Sequence, residues 1–586
     1  YCYQYQDSHN PFKYFLSFLF LCIYTEITKT VVKTVFKKLS FKNINGVVKM
    51  YEVQLMNSYF PAQDDADIRD ITIGDFLQET ANAFPDNVAM VDIDDNGDAC
   101  SSWTYQELFL EAKKLSISLS SRFQKGEKVV VWAPNIPQWV FMEYACALSG
   151  LVLVTANPSF KQKELSYVIE QSGAVGLFLI PEYRGNKMDE IAKEAIKGNK
   201  LLREVTGLYD RDKLYSTKKE NEPRAKVYPS DPAQIQYTSG TTGFPKGAVL
   251  THKSLLNNAK IYSERKQISQ ESVWSNFMPL FHTAGCATGT LGCLTAACKM
   301  LLIKQYNADI FAKLIEQQKV TICFAVPTML FDLLESLKHK PRDTSSLEVI
   351  STGGAPVPPE LVTRVRERLG CHLLSAFGQT EHSPMISLNP IGATLEQITK
   401  TAGQPLPKTE VSIRSTDTNE VLALGEVGEI CARSYAIMSC YNDNPEATEK
   451  TVDNEGWLHT GDLGTMDKNG FLTITGRVKD MIIRGGENHF PAEIEAVLVT
   501  HPDIMQVAVV GLPDEKWGEV IAAFFTSETT PKKKDLKSHA RKHISAQKTP
   551  SIWVKVTDFP LTGSGKIQKF EIVDRYIKGK YGAVIN

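Results

Sequence analysis

The chain gives no global electrostatic or membrane signal. Lys and Arg total 65 against 67 Asp and Glu, and a formal net charge of -2 gives no basis for binding nucleic acid or an anionic membrane through bulk charge. A mean hydropathy of -0.19 excludes a polytopic membrane protein. The most apolar run, Tyr14 to Tyr24, covers 11 residues, whereas a spanning helix takes about 20. None of the 11 cysteines forms a CxxC pair or takes metal-ligand spacing with a histidine, so they read as small core residues of a reducing compartment. No internal repeat and no low-complexity segment is visible.

Residues 1–49 lack Ala and Arg and contain one glycine, Gly46, and two acids, Asp7 and Glu26. The first methionine is Met50, where the composition becomes mixed. This stretch reads as a doubtful extension: translated upstream sequence, a disordered tail, or a targeting segment. The Tyr14–Tyr24 run has the length of a signal core but no small-residue cleavage site follows, and the Lys-rich Thr28–Lys42 stretch lacks the Arg of an organellar signal. It supplies no firm membrane anchor, and fold reasoning starts at Met50.

From Lys128 the pattern is βα repeating. KVVVWAP (128–134), LVLVTA (151–156) and AVGLFLI (174–180) are short apolar runs separated by the helical patterns 137–150 and 161–173. A second series follows from Ala233, with QIQYTS, KMLLIK, TICFAVP and LEVISTGG alternating with helices. Two such halves predict parallel sheets covered on both faces. After about Pro405 alternating strands and turns such as DKNG take over, and from about Asp480 a small α+β unit follows.

YTSGTTGFPKGAVL (237–250) carries the strongest chemical signal. It follows a strand and packs Thr238, Ser239, Gly240, Thr241, Thr242, Gly243 and Lys246 into nine residues. Glycines let the backbone fold around an anion, hydroxyls and amides donate to phosphate oxygens, and the lysine adds a charge. The Walker A spacing is absent. In FGQTE (377–381), Thr380 and Glu381 suit a phosphate oxygen and a hard cation such as Mg²⁺. Asp462 in HTGDLG could accept from two ribose hydroxyls and Arg477 could add a donor fork, although a TGD turn and a surface arginine are commonplace. Gly353 and Gly354 in STGGAPVP fit either close approach to a flat ligand or a plain strand-to-helix turn.

YTSGTTGFPKG closely resembles the signature of the adenylate-forming superfamily, which includes acyl-CoA synthetases, adenylation domains of peptide synthetases and beetle luciferases. FGQTE, GWLHTGD (456–462), GRVKDMIIRGGENHFPAEIE (476–495) and PLTGSGKIQK (560–569) match its other motifs in order, from about Met50 to the C-terminus. The combination of KDMIIRGGEN, HTAG, GGAP and PLTGSGKIQK looks most like medium-chain fatty acyl-CoA ligases. The resemblance implies an α/β fold: a large N-terminal domain (50–478) of two α/β subdomains plus a distorted β-barrel, and a small mobile α+β C-terminal domain (479–586) rotating about a hinge at Lys479.

The resemblance also implies site roles. Phe377, Gly378 and Gln379 precede Thr380 and Glu381, with Phe377 replacing the usual tyrosine that stacks on adenine. Gly353, Gly354 and Ala355 line the adenine site, and Asp462 and Arg477 hold the ribose. His282 in PLFHTAG resembles the gate beside the substrate carboxylate, and Lys566 the lysine that completes adenylation. Gly485 and Gly486 admit the CoA thiol in the second half-reaction. The small residues from His282 to Ala297 would either line the acyl tunnel or serve close helix packing.

The reaction implied joins a carboxylic acid to CoA through acyl-AMP, using ATP and Mg²⁺ and releasing AMP and pyrophosphate. A medium-chain fatty acid leads among the acids, with an aryl or steroid side-chain acid as alternative. Three other functions remain distinct. A carrier-loading acyl-AMP ligase would not use free CoA, a luciferase-like oxygenase would emit light, and a nucleotide-binding scaffold would have lost Lys566 or Glu381, which are present. A cytoplasmic location is expected, with mitochondria as the alternative.

Overall fold

The structure is a computed structural model that describes residues 50–217, 226–238, 245–354, 357–485, 487–561 and 567–581. The extension 1–49, most of the phosphate loop (Ser239, Gly240, Thr241, Thr242, Gly243), Ala355, Gly486 and Lys566 lie outside the described residues.

Local sequence explains the first βα unit. Lys128–Trp132 is a β-branched run whose last four residues are buried, flanked on both sides by the parallel strands Val152–Ala156 and Gly176–Leu179. Its Val129, Val130 and Val131 are each 0% exposed, and every such side chain contributes roughly 1.5–3 kcal/mol by leaving water. The following helix, Pro137–Ser149, starts with proline at its first position and stops where Gly150 adopts φ 70°. Proline there sacrifices no hydrogen bond and glycine takes the left-handed turn without a Cβ clash. Of its 13 residues only Gln138 escapes full burial, so this helix lies inside the molecule.

Two large sheets result. The first has seven strands, with Pro232–Thr238 beside Val152–Ala156 in parallel and beside Lys246–Thr251 in antiparallel fashion. The second has nine strands and a parallel centre that includes Val349–Gly353 and His372–Gly378. A five-stranded antiparallel sheet carries Gly428–Ser434, Leu458–Met466 and Leu472–Arg477. It has its own core around Phe60, Val411, Ile413, Ile430 and Met466.

The C-terminal sheet shows period-two burial on both faces. In Gly518–Thr526, Ile521, Ala523 and Phe525 join one apolar cluster, while Val520, Ala522 and Phe524 join another. Among the described residues no helix is long and apolar enough to cross a membrane.

Candidate active site

The hairpin Pro232–Thr238/Lys246–Thr251 presents the phosphate loop at its tip. Thr238 and Lys246 are register partners, and the Thr238 hydroxyl donates to the Lys246 carbonyl at 3.3 Å. The loop's far end is tied down by Tyr167, whose hydroxyl donates to the Pro245 carbonyl at 2.8 Å. Tyr237 anchors the near end through Gln171 at 2.6 Å. Cys440–Tyr441 adds a short strand against this hairpin, pairing Tyr441 with Ala248.

Tyr441 brings the second group of residues to the loop. Its hydroxyl donates to Glu381 Oε1 at 2.6 Å, and Lys246 Nζ lies 4.3 Å from the centre of its ring. Burial and the adjacent Glu381 carboxylate push the Tyr441 phenol well above its ordinary pKa, so it stays a donor. Thr380, Glu381 and His382 form a buried 3₁₀ turn directly after the strand His372–Gly378 and Gln379. The Met438 amide donates to the Glu381 carbonyl, and His382 is clamped between the Met385 carbonyl and the Ser434 hydroxyl. Burial holds the His382 imidazole at a pKa of about 4.

Asp462 and Arg477 are cross-strand partners. Arg477 Nε meets Asp462 Oδ1 at 2.8 Å, with side-chain exposures of 8% for the aspartate and 44% for the arginine. The strand is fixed from behind: the Asp462 amide donates to Thr460 Oγ1, which donates to the Ile430 carbonyl. Lys479 follows in a second 3₁₀ turn, Val478–Asp480. Surrounding protein, then the nearby Arg477 guanidinium, lower its pKa, with Asp462 and Lys246 also in range. Lys246, Asp462, Arg477 and Lys479 therefore share one electrostatic neighbourhood.

Other residues singled out from sequence have packing tasks of their own. A Cβ on Gly353 would fall 2.6 Å from the Ala376 carbonyl oxygen, and one on Gly378 2.2 Å from the Pro384 carbonyl oxygen. Both glycines are thus required by neighbouring backbone, while the exposed Gly354 takes φ 78°. Phe377, 9% exposed, packs into the core of the five-stranded sheet. His282 Nδ1 accepts from the Ala284 amide and its carbonyl accepts from Gly285 and Cys286, capping the helical segment Ala284–Leu291. Within that segment, Cβ atoms on Gly285 and Gly289 would meet the Pro279 carbonyl oxygen at 2.2 Å and Asn276 Nδ2 at 2.4 Å. These two small residues serve close packing. Gly485 sits at φ 60° against Trp517.

Residues 77–442 match the AMP-binding enzyme family, and residues 493–566 match the AMP-binding enzyme C-terminal domain. The chain belongs to the AMP-binding enzyme family. YngI of Bacillus subtilis (strain 168) is 35% identical over 544 residues, covering 86% of this chain and 97% of its own. The mitochondrial medium-chain acyl-CoA ligase ACSF2 of Homo sapiens is 33% identical over 541 residues, covering 86% of this chain and 87% of its own. Among solved structures, the o-succinylbenzoate CoA synthetase MenE from Bacillus subtilis with its acyl-adenylate intermediate aligns at TM-score 0.76 and 27% identity, covering 86% and 98% of the two chains. ATP-bound MatB from Rhodopseudomonas palustris aligns at 0.77 and 25%, covering 86% and 99%. This AMP-binding enzyme is therefore an AMP-forming acyl-CoA ligase, with ATP and CoA as substrates.

Its residues suit the Mg²⁺ that accompanies ATP in this family. Tyr441 occupies Glu381 Oε1, and among the described residues Oε2 accepts no hydrogen bond, leaving an oxygen of the kind a hard cation takes.

Two features escape sequence reading. Tyr441 lies 60 positions from its partner Glu381, in a segment without a motif. A buried polar chain runs from Glu143 through Gln234 and Gln236 to Cys286, with contacts of 2.8, 2.8 and 3.0 Å. It links the buried helix Pro137–Ser149, the loop-bearing strand and the segment capped by His282. Burial drives the Glu143 carboxyl well above the usual range, which favours its neutral form. The alternating polar positions on an otherwise apolar strand, QIQ, were the available signal.

Proposed function

We propose that this ligase activates a medium-chain fatty acid. The observation that carries the site reading is the junction of Lys246, Tyr441 and Glu381 at the tip of the TSGTTGFPK hairpin, which unites a phosphate-binding segment with a cation-binding carboxylate. The medium-chain choice rests on the likeness to ACSF2.

In this reading the Ser239–Gly243 loop, Thr238, Thr380 and Lys246 bind the phosphates. Asp462 and Arg477 orient the ribose, and Gly353, Gly354, Ala355, Phe377, Gly378 and Gln379 border the adenine. Glu381 holds Mg²⁺, which neutralises charge on the phosphates. His282 stands beside the substrate carboxylate, and Lys566 offsets the negative charge that converges as the carboxylate attacks the α-phosphate and pyrophosphate departs. Residues 50–478 and 479–586 act as two bodies hinged at Lys479. Rotation withdraws Lys566 and brings Gly485 and Gly486 to the adenylate for thioester formation. The enzyme works in the cytoplasm, with the mitochondrion as the alternative suggested by ACSF2.

The test is carboxylate-dependent pyrophosphate exchange across linear, aryl and steroid side-chain acids, with and without CoA. Exchange peaking at medium chain length with CoA-dependent thioester formation is expected. A maximum at an aryl or steroid acid overturns the substrate assignment, and adenylate formation that never passes to CoA identifies a carrier-loading enzyme. Tight ATP binding without exchange on any acid points to a scaffold.

A further inference from the structure

Outside the nucleotide site, the antiparallel strands Gly428–Ser434 and Leu458–Met466 bring a carboxylate, a thiol and an imidazole to one point. Cys431 and His459 are register partners. His459 Nδ1 lies 2.8 Å from Glu429 Oε2 and 3.5 Å from Cys431 Sγ, and the ligand atoms of all three residues lie within 4.8 Å of one another. An imidazole nitrogen carries one proton at most, so hydrogen bonding serves one of these two neighbours well and the other poorly. A metal ion in the proton's place serves all three.

Geometry and access agree with such an ion. Ordinary zinc bond lengths set tetrahedral edges of about 3.3 Å between nitrogen and oxygen and about 3.6 Å between nitrogen and sulfur. The sulfur already stands at that separation from the nitrogen, and the carboxylate oxygen has to move outward from it. Cys431 is fully buried, whereas the His459 and Glu429 side chains are 21% and 16% exposed, so the cluster reaches the surface. The ligands are also held from behind. His459 Nε2 faces Asp453 Oδ2 at 3.5 Å, and Asp453 Oδ1 accepts from the Glu455 and Trp457 amides. Glu429 Oε1 accepts from the Gly461 amide at 2.8 Å. A carboxylate behind an imidazole fixes the tautomer that aims the opposite nitrogen at a metal.

We propose that Glu429, Cys431 and His459 form a binding site for one borderline-soft divalent cation of the Zn²⁺ class. Thiolate and imidazole donors select such ions over Mg²⁺ and Ca²⁺, so this site is chemically distinct from Glu381. Its His459 lies on the strand that carries Asp462, three positions upstream, and the carboxylate that takes the ion also holds Gly461.

The test uses the full chain after chelator treatment, with Cys100→Ser introduced throughout because Cys100 is the exposed cysteine of the described residues. Titration with Co²⁺ should reach one equivalent and produce a thiolate-to-cobalt charge-transfer absorption. Zn²⁺ should displace the cobalt, and excess Mg²⁺ should not. Cys431→Ser should abolish the absorption, and His459→Gln should weaken Zn²⁺ binding by about 10-fold or more. Asp453→Asn, which leaves all three ligands in place, should weaken binding while keeping the absorption. Metal-free thermal unfolding of each variant establishes that it folds. No charge-transfer band in the parent protein overturns the proposal, as does parent-strength Zn²⁺ binding by folded Cys431→Ser and His459→Gln.

Discussion

Thr380–His382 and Val478–Asp480 are both three-residue 3₁₀ turns, and each carries a charged residue assigned to the reaction. In the first all three residues are buried, and hydrogen bonds from Tyr441, Met438 and Ser434 converge on it. In the second none is buried. Buried, hydrogen-bonded turns resist displacement, whereas a turn without buried residues reorients at smaller cost. The contrast fits the proposed roles, in which the Glu381 carboxylate holds a cation in place and a hinge at Lys479 turns between half-reactions.

The largest expected effect belongs to a residue on the moving side. Lys566→Ala should lower acid-dependent pyrophosphate exchange by about 10³-fold while CoA still consumes supplied acyl-AMP at near-normal rate. Equal loss in both assays would remove the moving half of the contrast. Glu381→Gln tests the fixed half: adenylation should fall by about 10²-fold, with a raised Mg²⁺ requirement, and an unchanged Mg²⁺ titration would count against the carboxylate's role.

The fixed turn should also leave a pH signature. His382 titrates near 4 in the fold and near 6.5 when unfolded, so between these values the unfolded chain binds more protons and stability declines as pH falls. The His382 contribution is fully present above pH 6.5, and about 3 kcal/mol of it is lost on approaching the folded pKa. Urea unfolding at pH 7 and pH 4.5 measures this, and His382→Gln should make that part of the profile shallower by the His382 share, leaving the share of the likewise buried His252, whose pKa is also held at about 4. The smallest effect is at the exposed turn, where Lys479→Pro should slow one half-reaction by about 10-fold relative to the other without shifting the unfolding midpoint. Equal slowing of both would argue against a hinge there.

Much of the fold was legible because its signals are local. Apolar runs of strand length, prolines at helix starts and Gly150 at a helix end mark the βα units directly. The motif residues Glu381, Asp462 and Lys246 were legible for a similar reason, since each sits in a short ordered pattern. What spacing does not display is strand register. Cys431 and His459 are 28 positions apart and show no ligand spacing, yet antiparallel pairing sets them side by side. Glycines are ambiguous in another way. Gly353 and Gly378 stand in motifs, yet each is also required by backbone packing, because a Cβ there would meet the Ala376 or Pro384 carbonyl oxygen.

Tyr441 stands between two groups of opposite charge. Lys246 and Glu381 carry opposite charges, and left in direct contact they would neutralise each other, so that phosphate and cation would have to break an ion pair before binding. The tyrosine offers its ring face to the ammonium and its hydroxyl to the carboxylate. It works as a spacer between two poles, in a site whose proposed substrate carries the complementary pair.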